Sequence, residues 1–173
     1  MKDIAIYGAG GFGREVACLI RRINESYPTP VWNFVGFFDD GVEKGATVSH
    51  FGQCLGGVSE LNEWATPLDV CIAIGKGSTI EKIVSKITNP LVDYPNVIDP
   101  KVVFNDKESL QMGKGNILQA NCSYNYKHYF PYLKTPYIYT PSHLVLALHH
   151  ILGHYSLYPF YIFPIYDLQK TYL

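Results

Sequence analysis

The stretch KDIAIYGAGGFGREVACLIRRIN, residues 2–24, decides how the rest of the chain is read. Its first part, Lys2 to Gly8, is a short apolar run with strand character. Its second, Arg14 to Asn24, carries Val16, Leu19, Ile20 and Ile23 at the i, i+3, i+4, i+7 spacing of an amphipathic helix. Between them stand Gly8, Gly10 and Gly13 in a G-x-G-x-x-G pattern. A glycine loop between a strand and a helix lets the backbone approach a ligand closely and aims the free N–H groups of the helix start at an anion. Phosphate or pyrophosphate is the natural guest. The plain alternative is a tight turn that packs helix on strand with no ligand.

Working outward, Trp32 to Asp40 (WNFVGFFDD) has the aromatic and β-branched texture of a second strand. Gly41 to Gly57 is glycine-rich and expected to be irregular, and Ser59 to Ala65 reads as a short helix. Leu68 to Gly75 (LDVCIAIG) is nearly continuous in apolar residues, as in a parallel strand buried on both faces. In the following GKGSTIEKIVSKI, Ser78 and Glu81 read as a capping box, and Ile80, Ile83, Val84 and Ile87 form a second helical stripe. Leu91 to Ile98 offers a further strand, limited by Pro95 and Pro100. Alternation of this kind implies an α/β fold, a parallel Rossmann-like sheet with flanking helices and right-handed crossovers.

In such a sheet the C-terminal ends of all strands share one edge, so three loops converge on one crevice. They contribute Gly8, Gly10, Gly11, Phe12 and Gly13; Asp39 and Asp40; and Gly75, Lys76 and Gly77. The two aspartates stand where a dinucleotide fold places the carboxylate that binds ribose hydroxyls; a solvated Asp-Asp-Gly turn is the simpler reading. Lys76 offers a positive charge to a phosphate, or is an exposed lysine at a helix start. NAD, another dinucleotide and a nucleotide-sugar all remain open on these grounds.

Fourteen basic and fifteen acidic residues leave a net charge of -1, which points away from a nucleic-acid partner and from a polybasic membrane patch. Cys18, Cys54, Cys71 and Cys122 lie far apart without a C-x-x-C pair, and no signal-peptide pattern precedes the first strand, so a reduced cytoplasmic protein without a metal site is expected. Composition then changes near Ser123. Residues 124–173 hold 11 of the 14 tyrosines and 5 of the 6 histidines, but one of the 15 glycines.

The ordered series IAIYGAGGFGREV, VGFFDDG, CLGGVSEL, VCIAIGKGSTIEKI, YPNVIDPKVVF and GKGNIL, within residues 2–122, resembles the bacterial sugar O-/N-acyltransferase family. That family includes the sialic acid O-acetyltransferases and the UDP-N-acetylbacillosamine N-acetyltransferases. The resemblance implies a Rossmann-like substrate domain followed by a left-handed β-helix of hexapeptide repeats, trimeric, with acetyl-CoA as co-substrate and a histidine as general base. The glycine-loop residues, Asp39, Asp40 and Gly75 to Gly77 would then line a site for a UDP- or CMP-sugar or a sugar, in surface polysaccharide synthesis. Residues 1–98 would form the nucleotide-sugar-binding domain and 99–123 the connection and first coil.

The hexapeptide texture stops there. Residues 124–173 lack its six-residue period and its corner glycines, so the catalytic base cannot be placed on His149, His150 or His154, and the acetyl-CoA site is expected to be absent. Read one nucleotide later, Tyr and His codons become Ile, Thr or Met codons, and YNYKHYF at 124–130 turns into β-branched text. The tail from Tyr124 is therefore expected to be a frameshifted β-helix region and the chain a truncated acetyltransferase. The rivals are an evolved aromatic segment and a membrane anchor in 144–165, which has no charged residue but contains three histidines, Pro159 and Pro164. A different class, an NAD(P)-binding redox or regulatory module, is the functional alternative, and a non-enzymatic partner of an intact acetyltransferase is a third.

Overall fold

In the computed structural model, the described residues are 1–108, 110–124, 129–130 and 138–139. Strand β1 (Lys2–Tyr7) leads through the glycine loop into helix α1 (Gly11–Glu25), and β2 (Trp32–Phe38) follows. A small antiparallel hairpin, β3 (Thr47–Val48) with β4 (Gly52–Gln53), precedes the short helix α2 (Val58–Asn62). Then come β5 (Leu68–Ile72), α3 (Gly77–Lys86) and β6 (Val92–Asp93). The four strands β2-β1-β5-β6 form one sheet in that order, every pair parallel. The expected Rossmann-like sheet is thus present.

Alternation along β1 explains the layers. Ile4 and Ile6 face one side with Val16, Leu19, Ile20 and Ile23 of α1. Ala5 and Tyr7 face the other, with Leu61 of α2 and Ile80 and Ile83 of α3. Each aliphatic side chain buried this way contributes about 2 kcal/mol. All five residues of β5 are buried, which accounts for its unbroken apolar run. Cys71 is among them, and burial pushes its thiol up to about 12, so it stays protonated as a small core hydrophobe.

Three details depart from the sequence reading. Residues 41–57 include an ordered hairpin, with Ser49 at φ 52° in its turn and Gly52 at φ 143° opening β4. Helix α3 begins at Gly77 with Lys76 as its N-cap and no side-chain cap, so Ser78 sits inside the first turn and makes no capping box. Leu91 to Ile98 is two strands. β6 joins the sheet, whereas β7 (Val97–Ile98) pairs in parallel with β10 (Ile117–Leu118), because Pro95 breaks the run between them.

From β7 onward the short strands stack one coil upon the next. β8 (Val103–Phe104) pairs with β11 (Ser123–Tyr124), β9 (Gln111–Met112) with β12 (Tyr129–Phe130), and β10 with β13 (Ile138–Tyr139), all in parallel. Three strands per coil, each paired with its counterpart in the next, is the start of a β-helix. Asn96 and Asn116 hold equivalent places in successive coils. The backbone N–H and side-chain Nδ2 of Asn116 both donate to Asn96 Oδ1, at 2.9 and 3.0 Å. Most of the tail, with its three clustered histidines, lies outside the described residues. Among the described residues no helix is long and apolar enough to cross a membrane.

Candidate functional site

The glycine pattern divides into two jobs. Gly8, at φ 114°, presses against the strand next door: an added Cβ would stand 2.6 Å from the Ala73 carbonyl oxygen. At Gly13 an added Cβ would overlap the carbonyl oxygen of Gly8. These two glycines let α1 close down on β1 and β1 on the end of β5. Gly10 and Gly11 are different. Both are exposed; a Cβ at Gly10 would meet nothing within 4 Å, and one at Gly11 would touch the Arg14 guanidinium at 4.0 Å. The backbone there faces open space.

The start of α1 is left uncapped. Gly10 is its N-cap, no side chain caps it, and no acidic residue lies in its first turn. The N–H groups of Gly11, Phe12 and Gly13 therefore have no acceptor within the helix. Helix α3 opens the same way, with Lys76 as N-cap, no side-chain cap and no acid in its first turn. Gly75 and Gly77 leave space where a Cβ would point, and Gly75, Lys76 and Gly77 are all exposed. Since β5 lies beside β1 and the two helices lie on opposite faces, both positive helix ends meet the same sheet edge.

Helix α2 supplies the contrast. Val58 N–H donates to Asp40 Oδ1 at 2.9 Å, and Gly57 N–H donates to Glu60 Oε2 at 2.9 Å, a capping arrangement whose first half comes from the end of β2. The Gly57 N–H, together with the backbone N–H of Glu60 itself, holds the Glu60 carboxyl below its usual range. Gly57 abuts Asp40 so closely that a Cβ would overlap Oδ1. Asp40 is thus turned toward α2.

Asp39 is engaged with the loop itself. Its Oδ2 accepts the Ala9 N–H at 2.8 Å and its Oδ1 accepts the Gly41 N–H at 2.8 Å. The structure therefore brings Gly8 to Gly13, Asp39 and the Gly75 to Gly77 turn to one edge, and gives Asp40 to the neighbouring helix. The sequence reading did not single out Tyr7. This residue ends β1 directly before the loop, is 2% exposed, and its hydroxyl has no hydrogen-bond partner among the described residues. Burial, with the Asp40 and Asp39 carboxylates beside it, raises its pKa far above the ordinary phenol value. With the Asp40 carboxylate beside the hydroxyl, Tyr7→Phe is expected to change stability by no more than about 1 kcal/mol in urea denaturation. A larger loss of stability would reveal a hydrogen bond that the variant breaks.

The match to a family model extends over residues 3–87 and is described as the PglD N-terminal domain. Residues 3–87 are a PglD N-terminal domain. No curated protein matches the chain. Among solved structures, the acetyltransferase domain of PglB from Neisseria gonorrhoeae FA1090 is similar at 24% identity and TM-score 0.56, over 71% of this chain and 56% of that one. A variant of perosamine N-acetyltransferase from Caulobacter crescentus, in complex with CoA and GDP-perosamine, is similar at 18% identity and TM-score 0.57, over 73% and 56%. The PglB domain in complex with acetyl coenzyme A matches at TM-score 0.51. The chain thus spans little more than half the length of these structures. At such identities the likeness is one of fold. Among the described residues no group of three or more His, Cys, Asp or Glu side chains is arranged to hold a metal ion.

Proposed function

We propose that this chain is the nucleotide-sugar-binding part of an acetyl-CoA-dependent sugar acetyltransferase of surface glycan synthesis. The observation that carries the reading is selective capping: α2 is capped twice, whereas α1 and α3, which open on the sheet edge where α/β folds take ligands, are left bare. Two uncapped helix starts and four glycines with free space fit a diphosphate. A PglD N-terminal domain followed by β-helix coils, and solved relatives whose titles name acetyl coenzyme A, CoA and GDP-perosamine, support a sugar nucleotide as the diphosphate.

In this reading acetyl-CoA would supply the acetyl group as a thioester, and an amine or hydroxyl of the sugar would receive it. The role of Gly10 and Gly11 is close backbone approach to the phosphates; Gly75, Lys76 and Gly77 supply the second helix start and a cation. Asp39 holds the loop open at a fixed angle through Ala9. Each Asp39 oxygen accepts one backbone N–H and keeps a lone pair for a hydroxyl, so the NAD(P) alternative is separated by ligand choice. We place the catalytic base on none of the described residues.

A thermal unfolding series tests the proposal. UDP-, CMP- and GDP-sugars and NADH are each added at about 100 times the expected Kd, where a ligand specific for the native state contributes about 2.7 kcal/mol. Stabilisation by one of the sugar nucleotides and none by NADH is expected. Stabilisation by NADH alone would replace the proposal with a dinucleotide-binding module. The purified 173-residue chain is further expected to show little or no acetyl transfer, since the hexapeptide texture ends at Ser123. Robust acetyl-CoA-dependent turnover would overturn that part.

A further inference from the structure

We propose that Arg22 is a positioning residue, forming with Asp99 a joint that locks the Rossmann-like unit onto the first two coils of the β-helix. Arg22 stands in the last turn of α1. Its Nε and Nη2 reach Asp99 Oδ2 at 3.0 and 2.8 Å, and Nη2 also donates to Gln119 Oε1 at 3.3 Å. Asp99 directly follows β7 and Gln119 directly follows β10. Because Ile98 pairs with Leu118, the two occupy one corner of successive coils. One guanidinium therefore grips two coils at once.

Asp99 is the informative partner. It is 2% exposed, its backbone N–H donates to the Leu118 carbonyl at 2.9 Å, and its Oδ1 accepts the Lys101 N–H at 2.9 Å. A carboxylate so buried needs a partner for each oxygen, and here Arg22 serves Oδ2 and the Lys101 N–H serves Oδ1. A lysine or arginine in the last turn of a helix is often no more than a solvated complement to the dipole. Arg21 next door is of that kind, exposed and 4.0 Å from Glu25. Arg22 is turned instead onto the other unit. Apolar packing lies beside it, since Val97 and Ile117 belong to the same core as Val16, Leu19 and Ile20.

The geometry gives the joint a purpose. From Gly11 to Arg22, α1 is a rigid rod about 17 Å long. Its head lies at the candidate ligand site and its far end is fixed to the β-helix, so the joint sets the direction in which a bound ligand is presented to the coils. That purpose rests on the nucleotide-sugar reading; the joint itself does not.

Hydrogen exchange on the full chain tests both, comparing wild type with Arg22→Ala and, should that variant fold poorly, Arg22→Lys, which keeps the charge but not the two-pronged grip. Without ligand, amides at 97–99 and 117–119 are expected to exchange about tenfold faster in the variant, while those of β1 and β5 keep their rates. With UDP-, CMP- and GDP-sugars each tried, the one that binds should keep its affinity in the variant, and its protection should extend to 97–99 in wild type but stop within 1–87 in the variant. Unchanged exchange at 97–99, or uniform acceleration throughout, would overturn the joint. Absence of any ligand protection in wild type would remove the nucleotide-sugar reading and leave the ligand-free comparison to decide the joint.

Discussion

Gly13→Ala is expected to destabilise the protein by about 3 kcal/mol, at the upper end of what overpacking a core costs. The new methyl would overlap the Gly8 carbonyl oxygen, which is backbone and can move only if β1 and α1 part. Parting them opens the core of Ile4, Ile6, Val16 and Ile20. Urea denaturation gives the number. Gly10→Ala is the informative companion, because its methyl meets nothing within 4 Å. Its stability should fall by less than about 1 kcal/mol, the scale of an N-cap change. If the open backbone there holds a phosphate, sugar-nucleotide affinity should fall by about tenfold or more, each tenfold being about 1.4 kcal/mol. An unaltered affinity in Gly10→Ala would separate the loop from the ligand.

The second large effect is expected at Asp39. Asp39→Ala removes two charge-assisted hydrogen bonds and strands the part-buried Ala9 N–H, for a loss of about 2–3 kcal/mol. Because the bond to Ala9 ties the glycine loop to the end of β2, ligand binding should fall with it. Asp39→Asn can keep one carbonyl oxygen on Ala9 and should recover part of both. Denaturation midpoints and ligand-induced thermal shifts on the two variants check this. A fully stable Asp39→Ala protein that no longer binds would instead assign Asp39 to the ligand directly.

Much of the fold was legible in residues 2–87 because each element carries its own periodicity. The helical stripe from Val16 to Ile23, the apolar run of β5 and the glycine loop between strand and helix are local patterns, and local sterics and solvent partition act on them before any tertiary contact forms. The hairpin at 47–53 was not legible, since two-residue strands have too few positions to show alternation. The start of α3 was misread at Ser78. The S-x-x-E pattern places the cap two residues later, and the extended backbone at Lys76 fixes the start earlier.

The sequence by itself determined a parallel α/β unit and the glycine loop between its first strand and first helix. It did so because hydrophobic period and glycine spacing are properties of neighbouring residues. Tertiary structure decided how the site residues are used. The sequence offered Asp39 and Asp40 as an equivalent pair, yet directly after β2 one pins the glycine loop and the other caps α2. Glycines of one motif likewise split into packing positions and open ones according to whether Ala73 or Gly8 lies across from them. The reach of Arg22 to Asp99 joins residues far apart in the chain, and no local pattern encodes such a distance. Only the folded arrangement of α1 against the first coil brings that charge pair together.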